Sequence, residues 1–86
     1  MPSFEIQYSA EAASQLEILS KPIARRILDK IEITRNDPYR FFKRLVGRPE
    51  YKLRVGDYRI IADIESKSKL ILIRSIGHRK NIYERL

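Results

Sequence analysis

Two arginines that flank a glycine, Arg54 and Arg59, carry the first chemical signal in the sequence. Gly56-Asp57 reads as a two-residue hairpin loop, with glycine supplying the positive φ that a tight turn demands. Val55 then lies opposite Tyr58, Arg54 opposite Arg59, and Leu53 opposite Ile60. Two guanidinium groups stand side by side, and Lys52 shares their face. Directly opposed like charges weaken a sheet unless something compensates. Asp57, Asp63 or Glu65 could neutralise one arginine, and long side chains can splay apart. The conflict nevertheless points to an external anion, because arginine's rigid fork makes bidentate contacts with phosphate and broken folding rules gather at functional sites.

A second group lies in the run Gly77-His78-Arg79-Lys80-Asn81-Ile82-Tyr83, which holds two cations, one imidazole and one phenol. A helix there would put Arg79 and Tyr83 on one face. Tyr83 could stack on a base or donate a hydrogen bond, and burial against a sheet is the other role open to it. His78 is the only histidine, so one chain cannot build a multi-histidine metal site. An imidazole suits acid/base chemistry near neutral pH, although a lone surface histidine is often incidental. The absence of cysteine removes disulfides and thiolate ligands. No metal or cofactor is expected.

The elements that must position these residues follow from periodicity. Phe4, Ile6 and Tyr8 alternate with polar residues as in a strand with one buried face. Ser9 can cap a helix whose apolar stripe is Ala12, Ala13, Leu16 and Leu19. Pro22 suits the start of a second helix, where Ile23, Ile27 and Ile31 recur every four residues, widened by Ala24 and Leu28. Arg25, Arg26, Asp29 and Lys30 fall beside that stripe or opposite it. Asn36-Asp37-Pro38 ends the helix. Residues 39–45 are short, with Phe41, Phe42 and Leu45 assigned to the edge of the core. Tyr51–Val55 and Tyr58–Glu65 form a hairpin, and a third strand spans 69–76 with Gly77 ending it. Residues 78–86 are open between a short helix and an extended tail.

These elements predict one α+β domain over residues 1–86, a helical hairpin packed on a small twisted antiparallel sheet, with the first strand at an unassigned edge. Eighty-six residues leave little core for anything more. A hydrophobic content of 43% argues against disorder. The longest apolar stretch of the C-terminal half covers only residues 70–73, so no membrane partner is expected. No basic segment followed by an apolar run opens the sequence, and a cytoplasmic location is expected.

The net charge of +7 is unevenly placed. Residues 1–39 hold five Lys/Arg against six Asp/Glu, and residues 40–86 hold thirteen against five. One half therefore carries the whole excess, as a polyanion-binding face requires, though a solvated face or an acidic protein partner would also fit.

Taken together, Arg44-Leu45-Val46-Gly47, then Tyr51-Lys52-Leu53-Arg54-Val55-Gly56-Asp57-Tyr58-Arg59, then His78-Arg79-Lys80-Asn81-Ile82-Tyr83 resemble the RelE branch of the RelE/ParE toxin superfamily over essentially the whole chain. The resemblance implies the RelE-like fold and a type II toxin that enters the ribosomal A site and cleaves messenger RNA without a metal. There the 2'-hydroxyl beside the scissile phosphate attacks, leaving a 2',3'-cyclic phosphate and a 5'-hydroxyl. It assigns basic sheet roles to Lys52 and Arg54, phosphate binding to Arg59, the C-terminal arginine to Arg79, and the catalytic or base-stacking tyrosine to Tyr83. Lys43, Arg44, Arg48 and Lys80 would grip RNA nearby. The lysine pair of the best-known branch is represented here by Lys52 and Arg54, and His78 precedes the final arginine, so Tyr83 or His78 would handle a proton. Implied partners are a RelB-like antitoxin, in a possible heterotetramer, the 70S-type ribosome and mRNA. Inhibition of DNA gyrase, as in the ParE branch, and a non-catalytic RNA- or ribosome-binding module are the competing functions.

Overall fold

The computed structural model describes residues 3–78. Strand β1 (Glu5–Tyr8) leads into helix α1 (Ala10–Glu17) and helix α2 (Lys21–Ile33). A 3-10 turn (Thr34–Asn36) and a four-residue helix α3 (Pro38–Phe41) then lead to β2 (Lys43–Arg44), β3 (Tyr51–Val55), β4 (Tyr58–Glu65) and β5 (Leu70–His78).

The helices start where the sequence places their caps. The Ala12 amide donates to Ser9 Oγ at 3.0 Å, satisfying one of the donors a helix start leaves open. Pro22 falls in the first turn of α2, one residue after its start, where its missing N–H costs nothing. Thr34 closes α2 by donating its hydroxyl to the Ile31 carbonyl at 2.6 Å.

The five strands form one sheet in the order β1-β5-β4-β3-β2. β1 joins at an edge, as expected, but runs parallel to β5, so the sheet is mixed rather than wholly antiparallel. Alternation along β1 reveals which face is buried; strand direction depends on a partner more than sixty residues away. β5 also runs on through Gly77 to His78 instead of ending before the glycine, because Arg59 and Tyr58 of β4 continue to pair with it.

Ile71, Ile73 and Ile76 all reach the core although the last two are three apart. The register shift between Ile61 and Ala62 makes this possible: Ile61 pairs with Ser75 and Ala62 with Ile73, leaving Arg74 as the extra residue of a bulge. Those isoleucines pack with Leu53, Val55, Ile60 and Ala62 against Ala12, Ile27, Ile31 and Phe42. Each fully buried isoleucine contributes about 1.5–3 kcal/mol through removal from water. Phe42 is a core residue, while Phe41 and Leu45 are half-buried. Beyond the end of β1, Gln15 of α1 covers β5: its Oε1 accepts the Ile76 amide. The helices thus occupy one face of the sheet, and the alternate residues of β3 and β4 project from the other.

Candidate nucleic-acid interface

The turn at Gly56-Asp57 sets the register of everything around it. Gly56 takes φ +59°, whereas Asp57 is not among the positive-φ residues, the pattern of a type II′ turn with glycine at its first central position. Val55 consequently pairs with Tyr58, Arg54 with Arg59, Leu53 with Ile60, and Lys52 with Ile61, as the sequence predicts. Lys43 of β2 faces Lys52 across the next pair of strands. Residues directly opposite in a ladder project to the same side, so Lys43 and Lys52 form one outward row and Arg54 and Arg59 the next.

β2 pairs only with Tyr51 and Lys52, so the edge of β3 is open from Leu53 onward. A groove of about 390 Å³ passes over that edge. Lys43, Lys52, Arg54 and Arg59 line the sheet side; Lys30 of α2, with Arg40 and Phe41 of α3, line the other; the buried Leu53 lies beneath. Every charged residue of this lining is a cation. Lys30 Nζ and Arg40 Cζ lie 5.3 Å and 5.7 Å from the centre of the Phe41 ring, so the aromatic quadrupole offsets part of the crowding.

Arg59 is the only charged residue among the described residues that is buried, at 5% exposure. Its Nη1 donates to the Tyr58 carbonyl at 3.4 Å. Arg54 is exposed, and its Nε donates to the Gly56 carbonyl at 3.3 Å. One arginine is therefore buried at the back of the groove and the other lies exposed at its mouth.

Not every cation expected at the site is there. Arg48 pairs with Glu50 at 3.2 Å in the loop between β2 and β3, and this hydrogen bond holds the Glu50 carboxyl below its ordinary range. Arg44, opposite Tyr51 on the helix side of the sheet, lies 5.8 Å from that ring. His78 pairs with Tyr58, and the two rings meet edge-on at 5.6 Å, one row away from Arg59, whose partner is Gly77. The expected roles of Arg79, Lys80 and Tyr83 lie outside the described residues. Sequence reasoning did not find Lys30, Arg40 or Phe41; the adjacent Arg40-Phe41 pair, two residues before Lys43, is the one signal that pointed there.

Away from the groove, three surface arginines, Arg48 among them, are paired with carboxylates. Arg35 Nε bonds Glu32 at 2.8 Å, which holds the Glu32 carboxyl low, and Arg74 bonds Asp63 at 2.7 Å, which raises the arginine's already high pKa. Lys30, Arg40, Lys43, Lys52 and Arg54 have no carboxylate within ion-pairing distance among the described residues. An open groove with an all-cationic lining and a buried arginine is equipped to take a polyanion.

Comparison with known proteins matches residues 6–83 to the family described as the ParE toxin of type II toxin-antitoxin system, parDE. The chain belongs to that toxin family. It is a type II toxin of the RelE/ParE superfamily, and its fold is RelE-like. The RelBE2 complex of Mycobacterium tuberculosis aligns with a TM-score of 0.81 at 20% identity, covering 91% of this chain and 100% of the other. The RelE–RelB complex of Pyrococcus horikoshii gives 0.77 at 27%, covering 91% and 97%. The RelB–RelE complex of Methanococcus jannaschii gives 0.72 at 26%, covering 93% and 98%. No curated protein matches the chain. No helix among the described residues of this toxin is long and apolar enough to cross a membrane.

Proposed function

We propose that this toxin is a ribosome-dependent endoribonuclease that cuts messenger RNA in the ribosomal A site. The observation that carries the reading is the all-cationic groove built around Arg54 and Arg59. In the reaction, the 2'-oxygen attacks the adjacent phosphorus and gives up its proton; the bond from phosphorus to the 5'-oxygen breaks, and that oxygen takes a proton. The products are a 2',3'-cyclic phosphate and a 5'-hydroxyl. Negative charge grows on the non-bridging oxygens on the way, and a preorganised donor in a low-dielectric setting stabilises it far better than water does. Arg59 supplies such a donor, Arg54 a second one at the mouth, and Lys52 and Lys43 hold the neighbouring phosphates. Arg79 completes the phosphate clamp and Tyr83 handles a proton or stacks on the base. His78, beside Tyr58 in the row next to Arg59, is the alternative proton carrier. Arg44, Arg48 and Lys80 grip RNA or ribosome outside the groove.

A RelB-like antitoxin is the proposed cellular partner, in a heterotetramer, since the archaeal relatives at 26–27% identity are complexes of RelE with RelB. The toxin would act in the cytoplasm, where its ribosomal target lies. A second reading, inhibition of DNA gyrase, is favoured by the ParE description of the matching family. The two separate in one experiment: incubation of the toxin with programmed ribosomes, followed by mapping of cut sites and end chemistry. The nuclease reading expects 2',3'-cyclic phosphate ends within the A-site codon. Intact messenger RNA together with loss of gyrase supercoiling would establish the second reading instead.

A further inference from the structure

The groove over β3 does not end at Arg54. A second depression of about 590 Å³ continues along α2, and Lys30 and Arg54 line both. Its other charged walls are Arg25, Arg26 and Asp29, and its apolar floor comes from Pro22, Ile33 and Val55. Ile33 is 59% exposed, whereas Ile27 and Ile31 of the same helix are fully buried.

Two features separate these arginines from an ordinary solvated helix face. Asp29 lies three residues beyond Arg26 and four beyond Arg25, the spacings at which a helix offers ready ion pairs, yet neither pair forms. Arg26 is instead directed to the β3–β4 turn. A Cβ added to Gly56 would meet its Nη1 at 3.4 Å, ordinary van der Waals contact, which places the guanidinium against the turn. That turn is also where Arg54 Nε is anchored, on the Gly56 carbonyl. Arg26 and Arg54 therefore approach the Gly56 turn from a helix and a strand, and both line the second depression.

We infer that the depression along α2 is a second binding site for the same single strand, in which Arg25 and Arg26 hold backbone phosphates flanking the segment seated at Arg54 and Arg59. The inference rests on the RNA reading above and names the path by which the strand leaves the first groove. Continuity through two shared cations favours a polyphosphate chain, and an apolar floor between guanidinium groups accommodates sugars and bases while phosphates meet the walls. An acidic segment of a protein partner is the occupant the test must separate from it.

The test uses the full-length toxin and 2'-O-methyl RNA, which lacks the attacking hydroxyl, as a trinucleotide and as a dodecamer. Affinity is measured against salt for the wild type, Arg54→Ala, Arg25→Ala/Arg26→Ala, and Arg25→Lys/Arg26→Lys, with thermal melts confirming that each is folded. Each phosphate contact with a single strand adds roughly 0.7 to the slope of log affinity against log salt. Arg25→Ala/Arg26→Ala should lower the dodecamer slope by about 0.7–1.4 and leave the trinucleotide slope as it is. The lysine pair, which keeps both charges and tolerates the fold, should restore the slope. An unchanged dodecamer slope, alongside a reduced one in Arg54→Ala, would overturn the second site while sparing the first. A wild type whose RNA affinity does not respond to salt would overturn both. Loss of binding to a poly-glutamate probe with no change on RNA would assign the depression to an acidic protein and also overturn the proposal.

Discussion

Arg74 and Arg54 are both exposed arginines on neighbouring parts of one sheet, yet their surroundings differ in kind. Arg74, extruded by the bulge in β5, has Asp63 at 2.7 Å; Arg54, beside the type II′ turn, faces Arg59 across the ladder. The contrast extends to two further arginines. Arg35, Arg48 and Arg74 each have a carboxylate within 3.2 Å, whereas the groove over β3 gathers cations with no acid in its lining. A protein that needed positive charge only for solubility would have no reason to gather five cations, unpaired among the described residues, around one buried arginine. The comparison teaches that net charge is uninformative about binding until the pairing of each cation is known.

The largest break in the comparison is expected at Arg59. Removing a preorganised donor from a developing oxyanion costs about 10²–10³-fold in rate, so Arg59→Ala should lower single-turnover cleavage on ribosomes by that factor. Gly56→Ala comes next. Its positive φ costs a residue with a Cβ about 1–2 kcal/mol, while the added carbon would meet Arg26 only at ordinary contact distance. Urea unfolding should show that loss, and Gly47→Ala, also at positive φ and with nothing within 4 Å of its added carbon, should lose a similar amount. On the paired side, Arg74→Ala removes a solvent-exposed ion pair and should change stability by no more than about 1 kcal/mol.

The smallest effect is a pH signature. The hydrogen bond from Arg35 lowers the Glu32 carboxyl from its ordinary value of 4.5, so the folded state binds that proton less readily than the unfolded chain. The associated stability is fully present above about pH 4.5 and is lost as pH falls through the depressed value. Glu32→Gln should flatten the acid limb of a stability-versus-pH curve. Substitutions of groove cations should leave that limb unaltered.

The hairpin that carries the site was legible because a two-residue turn fixes register, and register fixes which side chains share a face. Arg54 opposite Arg59, with Lys52 beside them, followed from Gly56 alone. The far wall did not, because Lys30 and Arg40 reach the groove through the packing of α2 and α3, and nothing local to β3 announces that β2 stops after two residues. His78 was misplaced for a related reason: a glycine was read as a strand end, although pairing with Arg59 carries β5 past it. Arg48 looked like part of the basic cluster, but Glu50 two residues away pairs with it. The parallel direction of β1 and the bulge at Arg74 are likewise outcomes of contacts between distant segments, which alternation cannot encode.

The salt dependence of RNA binding, compared between Arg54→Ala and Arg74→Ala, tests the central division most directly. Both variants lose one exposed arginine and the same formal charge. If the groove cations await phosphate, Arg54→Ala should lower the slope of log affinity against log salt by roughly 0.7 on a 2'-O-methyl dodecamer, with Arg74→Ala matching the wild type. Equal losses in the two variants would show that only overall charge attracts RNA, and the assignment of the groove would fall.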